Sequence, residues 1–286
     1  MRRVRRWAAA AMHMRRHNRA LPDSAPVLNF YAHRPAPAAK IYGALRVLGM
    51  RAALAARGDQ PTIAWDPYTV LTERALARLP PNAINRRCVD VSKTRVAAAW
   101  AEVAGYGVAV DPLSWPGPMA GKSERNGMHD GRLLQGPLRR RRAGLVYERF
   151  VDTIVDGHAR AQRTFVVGGA SPLVFDIRRP RDNPFDGVDE VATRSPADVY
   201  STAELVLVLR FAEAIGMEYG EIDVVRDKGS GLIYAIDANR TPLGGVALST
   251  LPVDEVFGTL AMAIAEMLRS WRPLARPGGL VAPLRK

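Results

Sequence analysis

Cysteine is nearly absent from this 286-residue chain, Cys88 being the single one. No internal disulfide and no cysteine-built zinc site can form, and cytosolic residence is the default expectation. Lysine is scarce too: of 41 basic residues only Lys40, Lys93, Lys122, Lys228 and Lys286 are lysine. No apolar run reaches 18 residues, so no membrane span is expected. Acids are missing before Asp23. The apolar run inside that basic stretch, Trp7 to Met12, is short for a signal-peptide core and is soon interrupted by Arg15-Arg16. Residues 1–24 therefore read as a basic tail, a frayed or surface-lying helix, with membrane-surface or nucleic-acid contact as the alternative. Several catalytic signatures are missing as well. There is no G-x-x-x-x-G-K-[ST], no G-x-S-x-G and no H-E-x-x-H, and His129 and His158 have no metal-ligand spacing. P-loop, serine-hydrolase and zinc-hydrolase readings are left without support.

What is present is a chain that is 48% hydrophobic with a net charge of +13. It can bury a sizeable core in one or two domains. The charge attracts anions in general, and by itself does not choose among nucleotides, nucleic acid, acidic metabolites and anionic lipid.

Along the chain, the proline-rich stretch 21–36 reads as a linker or extended lead-in, and 37–57 has helical spacing. "TIAWDP" suggests a short strand and "PYTVLTERALARL" a helix. A helix over 91–107 is capped near Ser92 and stopped near Gly105. Residues 114–144 are rich in Gly, Pro and Arg. Strands are predicted at 144–151, 160–169 and 172–180, and a long helix at 195–216 with Ser195 as its cap and Gly216 as its stop. Two strands joined by the turn "KGSG" at 228–231 and a closing helix over 253–272 complete an α+β order.

The second of those two strands, "YAIDAN", places Asp237 and Asn239 two residues apart, hence on one face. Glu221 and Asp223 alternate in the same way on its partner. Hard oxygen donors on neighbouring strands suit Mg²⁺; alternatively they are solvent-facing acids paired with arginines. In "GPMAGKSERNGMHDG", a short strand would deliver Lys122 to a glycine-bearing loop where backbone and ammonium could meet phosphate, or the loop is a bare surface turn. "LVYERFVD" carries Glu148 and Asp152, and "RAQRTFVV" carries Arg160 and Arg163, which could clamp phosphates or stand as exposed cations. The run "RRRR" at 139–142 is expected to be a solvated loop.

Taken together, "EAIGM" and the segment "YGEIDVVRDKGSGLIYAIDANRTPLGG" resemble the C-terminal metal-binding hairpin of the ATP-grasp superfamily, with Asp237 where glutamate is usual. "VSKTRVAAAWAEVAGYGVAVDP", Lys122, "YERFVD" and "HARAQRTFVVGG" are similar to the central subdomain, its phosphate-contacting lysine, the adenine-reading hinge and the phosphate-facing strand. The resemblance covers residues 88–270 and implies an α+β fold in which two antiparallel sheet/helix subdomains sandwich ATP, preceded by a short α/β lead-in. It implies a lead-in over 25–87, a central subdomain over 88–147, a C-terminal subdomain over 148–274 and a tail over 275–286. Asp223, Asp237 and Asn239 would hold Mg²⁺. Lys93, Lys122, Glu148, Phe150, Asp152 and Arg163 would bind the nucleotide, with Lys122 and Arg163 offsetting phosphate charge in catalysis. The implied activity is an ATP- and Mg-dependent ligase joining a small-molecule carboxylate to an amine, thiol or other nucleophile through an acyl phosphate. A small-molecule kinase on the same fold and a non-catalytic basic module that binds nucleic acid or a partner are the alternatives; no specific nucleic acid is expected.

Overall fold

The computed structural model describes residues 2–125, 128, 130–182, 187–243 and 251–274, with side chains from Trp7 onward. The chain opens with α1 (Arg2–Arg19), β1 (Val27–Ala32), α2 (Ile41–Val47), β2 (Arg51–Leu54), β3 (Thr62–Trp65) and α3 (Glu73–Arg78). Next come α4 (Lys93–Ala104), β4 (Pro118–Ser123), β5 (Arg132–Gln135), β6 (Leu145–Arg149), β7 (Ile154–Val155), β8 (His158–Val167), β9 (Val174–Pro180) and β10 (Glu190–Arg194). Two helices, α5 (Pro196–Val199) and α6 (Thr202–Ala214), precede the hairpin β11 (Tyr219–Arg226) and β12 (Ile233–Asn239), and α7 (Val253–Ser270) closes the described part.

Three sheets result among the described residues. The first is parallel, in the order β2-β1-β3. The second is a small antiparallel sheet, β5-β4-β6. The third is a large antiparallel sheet, β10-β9-β8-β11-β12, with β7 paired to β8. The expected α+β class with two antiparallel subdomains and a short α/β lead-in holds.

The lead-in departs most from its sequence pattern. The stretch read as linker contains β1, the central strand of the parallel sheet, with Leu28 and Phe30 fully buried. The single helix expected over 37–57 is α2 followed by β2. Gly49 turns the chain with φ at +62°, a backbone that glycine adopts without strain. In "PYTVLTERALARL" only Glu73–Arg78 is helical, started by Thr72, whose hydroxyl accepts the Ala75 N–H. The helix over 195–216 is also two. Ser195 caps α5 and Ser201 caps α6 with a reciprocal Glu204 capping box. Between them Tyr200 is extended and its buried hydroxyl lies 2.6 Å from that of Thr164.

The large sheet is covered on both faces, which is why consecutive residues are apolar in parts of its central strands, as in Phe165–Val167 of β8 and Val174–Phe175 of β9. Phe165, Phe175, Ile177 and Tyr219 face the parallel sheet and α7. Val166, Val174, Ile222 and Val224 face α4 and α6, around Trp100 and Phe211.

The basic N-terminal segment is a docked helix rather than a frayed one. Ala10 and Met14 are buried against the lead-in, and His17 Nε2 lies 2.8 Å from the Met50 carbonyl oxygen. The Asn18 side chain both donates to the Ala52 carbonyl (2.8 Å) and accepts the Ala52 N–H (2.9 Å), so it closes the edge of β2 as another strand would. Asn18→Ala removes the side-chain partners of both the Ala52 N–H and the Ala52 carbonyl. It is expected to lower stability by about 2 kcal/mol, read as a shift in the urea unfolding midpoint; an unchanged midpoint would show that this edge is closed by water equally well.

Candidate functional site

Register builds the site on the large sheet. Across β8, β11 and β12, Arg163 stands opposite Asp223 and Asp223 opposite Asp237. In the adjacent row of the same face, Phe165 stands opposite Glu221 and Glu221 opposite Asn239. Period-two alternation puts these residues on the face that carries Tyr219 and Phe175. One face is thus apolar toward α7 and charged two residues farther along.

Each carboxylate in these rows has a cation. Arg163 grips Asp223 with two parallel hydrogen bonds, Nε to Oδ1 at 2.7 Å and NH2 to Oδ2 at 3.0 Å. Its Nε is also 3.9 Å from Glu221 Oε2. Lys93, the first residue of α4, places Nζ 2.5 Å from Asp237 Oδ1. Lys40, from the segment entering α2, places Nζ 2.6 Å from Glu221 Oε1. Burial pushes the Asp223 carboxyl up, but Arg163, with Arg179 and Lys93 behind it, outweighs that effect and holds it at about 2. The same contact, led by the Asp223 charge, raises the Arg163 guanidinium above its ordinary value. Asp223 is therefore fully ionised at neutral pH.

Asn239 is held by the chain that follows it: its Oδ1 accepts the Thr241 N–H at 2.9 Å, an Asx turn. Next to it, Arg240 is fully buried and donates to four main-chain carbonyls, those of Asp66 (3.2 Å), Tyr68 (2.5 Å), Cys88 (2.8 Å) and Val89 (3.2 Å). Arginine's planar fork suits such a set of acceptors. It bolts the loop past β3 and the residues leading to α4 onto the end of β12.

The small sheet supplies a second cluster. Lys122 on β4 and Glu148 on β6 lie diagonally on one face, with Nζ 2.5 Å from Oε2. Beyond Lys122, Glu124 accepts from the Thr94 N–H and hydroxyl, both at 3.2 Å. That contact brings the end of β4 to the start of α4, one residue from Lys93. At the other end of β6, Arg149 reaches Asp227 at 2.5 Å, and the Lys228 N–H donates to the Asp152 carbonyl at 2.7 Å, which ties the segment joining the two sheets to the hairpin turn. Phe150 and Asp152 lie in that joining segment. The Phe150 N–H donates to the Pro118 carbonyl at 3.0 Å, and the Asp152 carboxylate accepts the Ile154 N–H at 3.0 Å. Within the glycine-bearing loop, the Ser123 N–H donates to Asp130 at 3.2 Å. Asn126, Gly127 and His129 of that loop lie outside the described residues, as does Gly244 of the turn after the hairpin. Arg139 to Arg142 are exposed, as expected of a solvated loop.

Among the described residues no group of three or more His, Cys, Asp or Glu side chains is arranged to hold a metal ion. The set expected from the sequence is of a different kind, two carboxylates on directly paired residues and a carboxamide on the adjoining row. Its chemistry still fits Mg²⁺: all three donors are hard oxygens and one carboxylate is firmly ionised. Lys40 and Arg240 were missed by the pattern reading. Lysine's scarcity was the one available signal. Of the five lysines, Lys40, Lys93 and Lys122 each bind an acid of these clusters.

No family model matches the chain, and no curated protein matches it. Solved structures do. The ATP-grasp ligase PsnB, complexed with a phosphomimetic variant of minimal precursor, Mg and ADP, is 12% identical over 87% of this chain and 99% of its own, with a TM-score of 0.59. D-cycloserine synthetase DcsG is 14% identical over 83% of this chain and 99% of its own, with a TM-score of 0.52. An L-amino acid ligase from Bacillus licheniformis is 14% identical over 87% of this chain and 78% of its own, with a TM-score of 0.50. Identities this low speak to architecture, and the chain has the ATP-grasp fold. Among the described residues no helix is long and apolar enough to cross a membrane.

Proposed function

We propose that this ATP-grasp chain is an ATP- and Mg-dependent ligase that activates a carboxylate by phosphorylation and joins it to an amine, thiol or other nucleophile. The observation that carries the reading is the cross-strand row Arg163, Asp223 and Asp237 with Lys93 closing it. Phosphoryl transfer needs positioning and charge neutralisation rather than a protein nucleophile. Carboxylates and a guanidinium on adjoining strands of one sheet, with the Lys93 ammonium brought in from α4, provide both.

In this reading Asp223, Asp237 and Asn239 hold Mg²⁺, which neutralises charge on the phosphate oxygens when bound. Lys93, Lys122 and Arg163 face the phosphates; each is already held by a carboxylate at 2.5 to 2.7 Å, so its direction is set before nucleotide arrives. Glu148, Phe150 and Asp152, in the segment joining the two sheets, lie at the nucleotide's base and ribose. The carboxylate oxygen attacks the γ-phosphorus, the bond from that phosphorus to the β–γ bridging oxygen breaks, and ADP leaves. The incoming nucleophile then attacks the carbonyl carbon of the acyl phosphate, the bond from that carbon to the phosphate oxygen breaks, and inorganic phosphate leaves as the nucleophile gives up its proton. PsnB is named as complexed with Mg and ADP, which accords with the cofactor pair. The neighbours' ligase names favour this chemistry over a kinase. The substrates are a small-molecule or peptide carboxylate and its acceptor, in the cytoplasm.

Hydroxylamine distinguishes the two reaction types. With Mg·ATP, a panel of amino-acid and peptide carboxylates and hydroxylamine, a ligase is expected to accumulate hydroxamate in step with ADP. ADP formed with a hydroxyl substrate, a stable phosphate ester and no hydroxamate would make the protein a kinase instead.

A further inference from the structure

Among the described lysines Lys40 is the most deeply buried, with its side chain fully enclosed and its Nζ 5.4 Å and 5.1 Å from the ring centroids of Phe165 and Phe175. Its one carboxylate partner among the described residues is Glu221, itself 2% exposed. As a stabilising device this pair is a poor choice. Desolvating two charges offsets most of their attraction, and apolar side chains of the same volume generally do as well or better. Stability alone therefore does not account for a lysine here.

Its position does. The other oxygen of Glu221 faces the Nε side of Arg163, whose guanidinium in turn grips Asp223. The main chain at the same point is joined to the far side of the site. The Lys40 N–H donates to the Pro242 carbonyl at 3.4 Å, and Ala39 bridges Leu243, three and four residues past Asn239. The segment 39–40 thus touches the charged rows twice, through its side chain at β11 and through its backbone beyond β12. We propose that Lys40 is a positioning residue of the phosphate site. It holds Glu221 so that Glu221 backs the guanidinium of Arg163, and it thereby couples the seating of the lead-in sheet to the direction of the phosphate-facing arginine. Without Lys40, an uncompensated Glu221 competes with Asp223 for Arg163; without both, Arg163 loses its backing.

The proposal rests on the nucleotide reading, and the test separates the two. Mg·ADP binding is measured by calorimetry, together with thermal melting, for the full-length wild type, Lys40→Met, and the near-isosteric neutral pair Lys40→Met/Glu221→Gln. The double variant is expected to melt within a few degrees of wild type, because no buried charge is left unpaired. Its affinity for Mg·ADP is expected to fall about tenfold, and that of Lys40→Met further still. A purely structural pair predicts the opposite, restored affinity whenever folding is restored. A double variant that binds Mg·ADP within about twofold of wild type therefore overturns the proposal and leaves the nucleotide reading standing. A wild type that binds no Mg·ADP overturns both.

Discussion

Replacing Asp237 by asparagine is expected to lower Mg·ATP-dependent turnover by about a thousandfold, close to about 4 kcal/mol of transition-state stabilisation, with little loss of fold. Asparagine keeps the size of the side chain and an oxygen able to accept the Ala238 N–H, which Asp237 accepts at 2.8 Å. What it removes is the charge. Asp237 stands directly across from Asp223, so the change halves the anionic donor set that would hold Mg²⁺. Its ion pair with Lys93 is lost as well, but Asp237 is 27% exposed and water can take its place at Lys93. The melting temperature should therefore fall by only a few degrees. Asp237→Ala is the less clean variant because it also removes the side-chain oxygen that accepts the Ala238 N–H. Asn239→Ala belongs to the same experiment. It removes the neutral donor and opens the Asx turn to Thr241, so turnover should fall comparably with an added stability loss of about 1 kcal/mol. Initial-rate ADP release at saturating ATP and a thermal melt on each variant decide the matter. Near-normal turnover in either variant would remove Asp237 and Asn239 from the metal assignment.

The largest expected effect on stability comes from Arg240→Met, although Arg240 stands beside a proposed ligand and would be mistaken for part of the chemistry. All four of its donated hydrogen bonds end on main-chain carbonyls between Asp66 and Val89. Methionine fills the volume and makes none of them. The Val89 carbonyl keeps the Leu71 N–H at 2.8 Å, but those of Asp66, Tyr68 and Cys88 lose the arginine, each a penalty of about 1 kcal/mol. A total of about 3 kcal/mol is a large part of a typical domain's stability. Urea unfolding should show a clear fall in the midpoint, and limited proteolysis should cut the loop past β3 before the hairpin. Lysine would be a weak substitute, since a single ammonium cannot span acceptors spread over Asp66, Tyr68 and Cys88. Arg240→Lys should accordingly recover less than about half of the loss. If Arg240→Met unfolds at the wild-type midpoint, the lead-in sheet is held by its apolar contacts alone.

What could be read without coordinates was what short-range chemistry decides. Strand alternation placed Asp237 and Asn239 on one face, and the structure pairs them with Asp223 and Glu221 across β11. Ser92 and Gly105 bounded α4 because a hydroxyl that accepts an N–H and a residue free to take φ of +79° are local requirements. The closing helix could be read for the same reason, from its apolar period over several turns. Elements whose identity depends on a distant partner could not be. "VLNFYA" is a strand because β2 and β3 pair with both of its edges, and nothing in its immediate neighbourhood announces that. The basic helix α1 looks solvated in sequence; it is docked because Asn18 meets an open strand edge at Ala52. The site divides along the same line. Its acids were legible because they lie two residues apart on adjoining strands. The cations that hold them, Lys40 and Lys93, come from positions 181 and 144 residues away from Glu221 and Asp237. Only the folding of the lead-in and of α4 onto the sheet determines which charge meets which, because a buried ion pair forms where desolvation leaves each group no other partner.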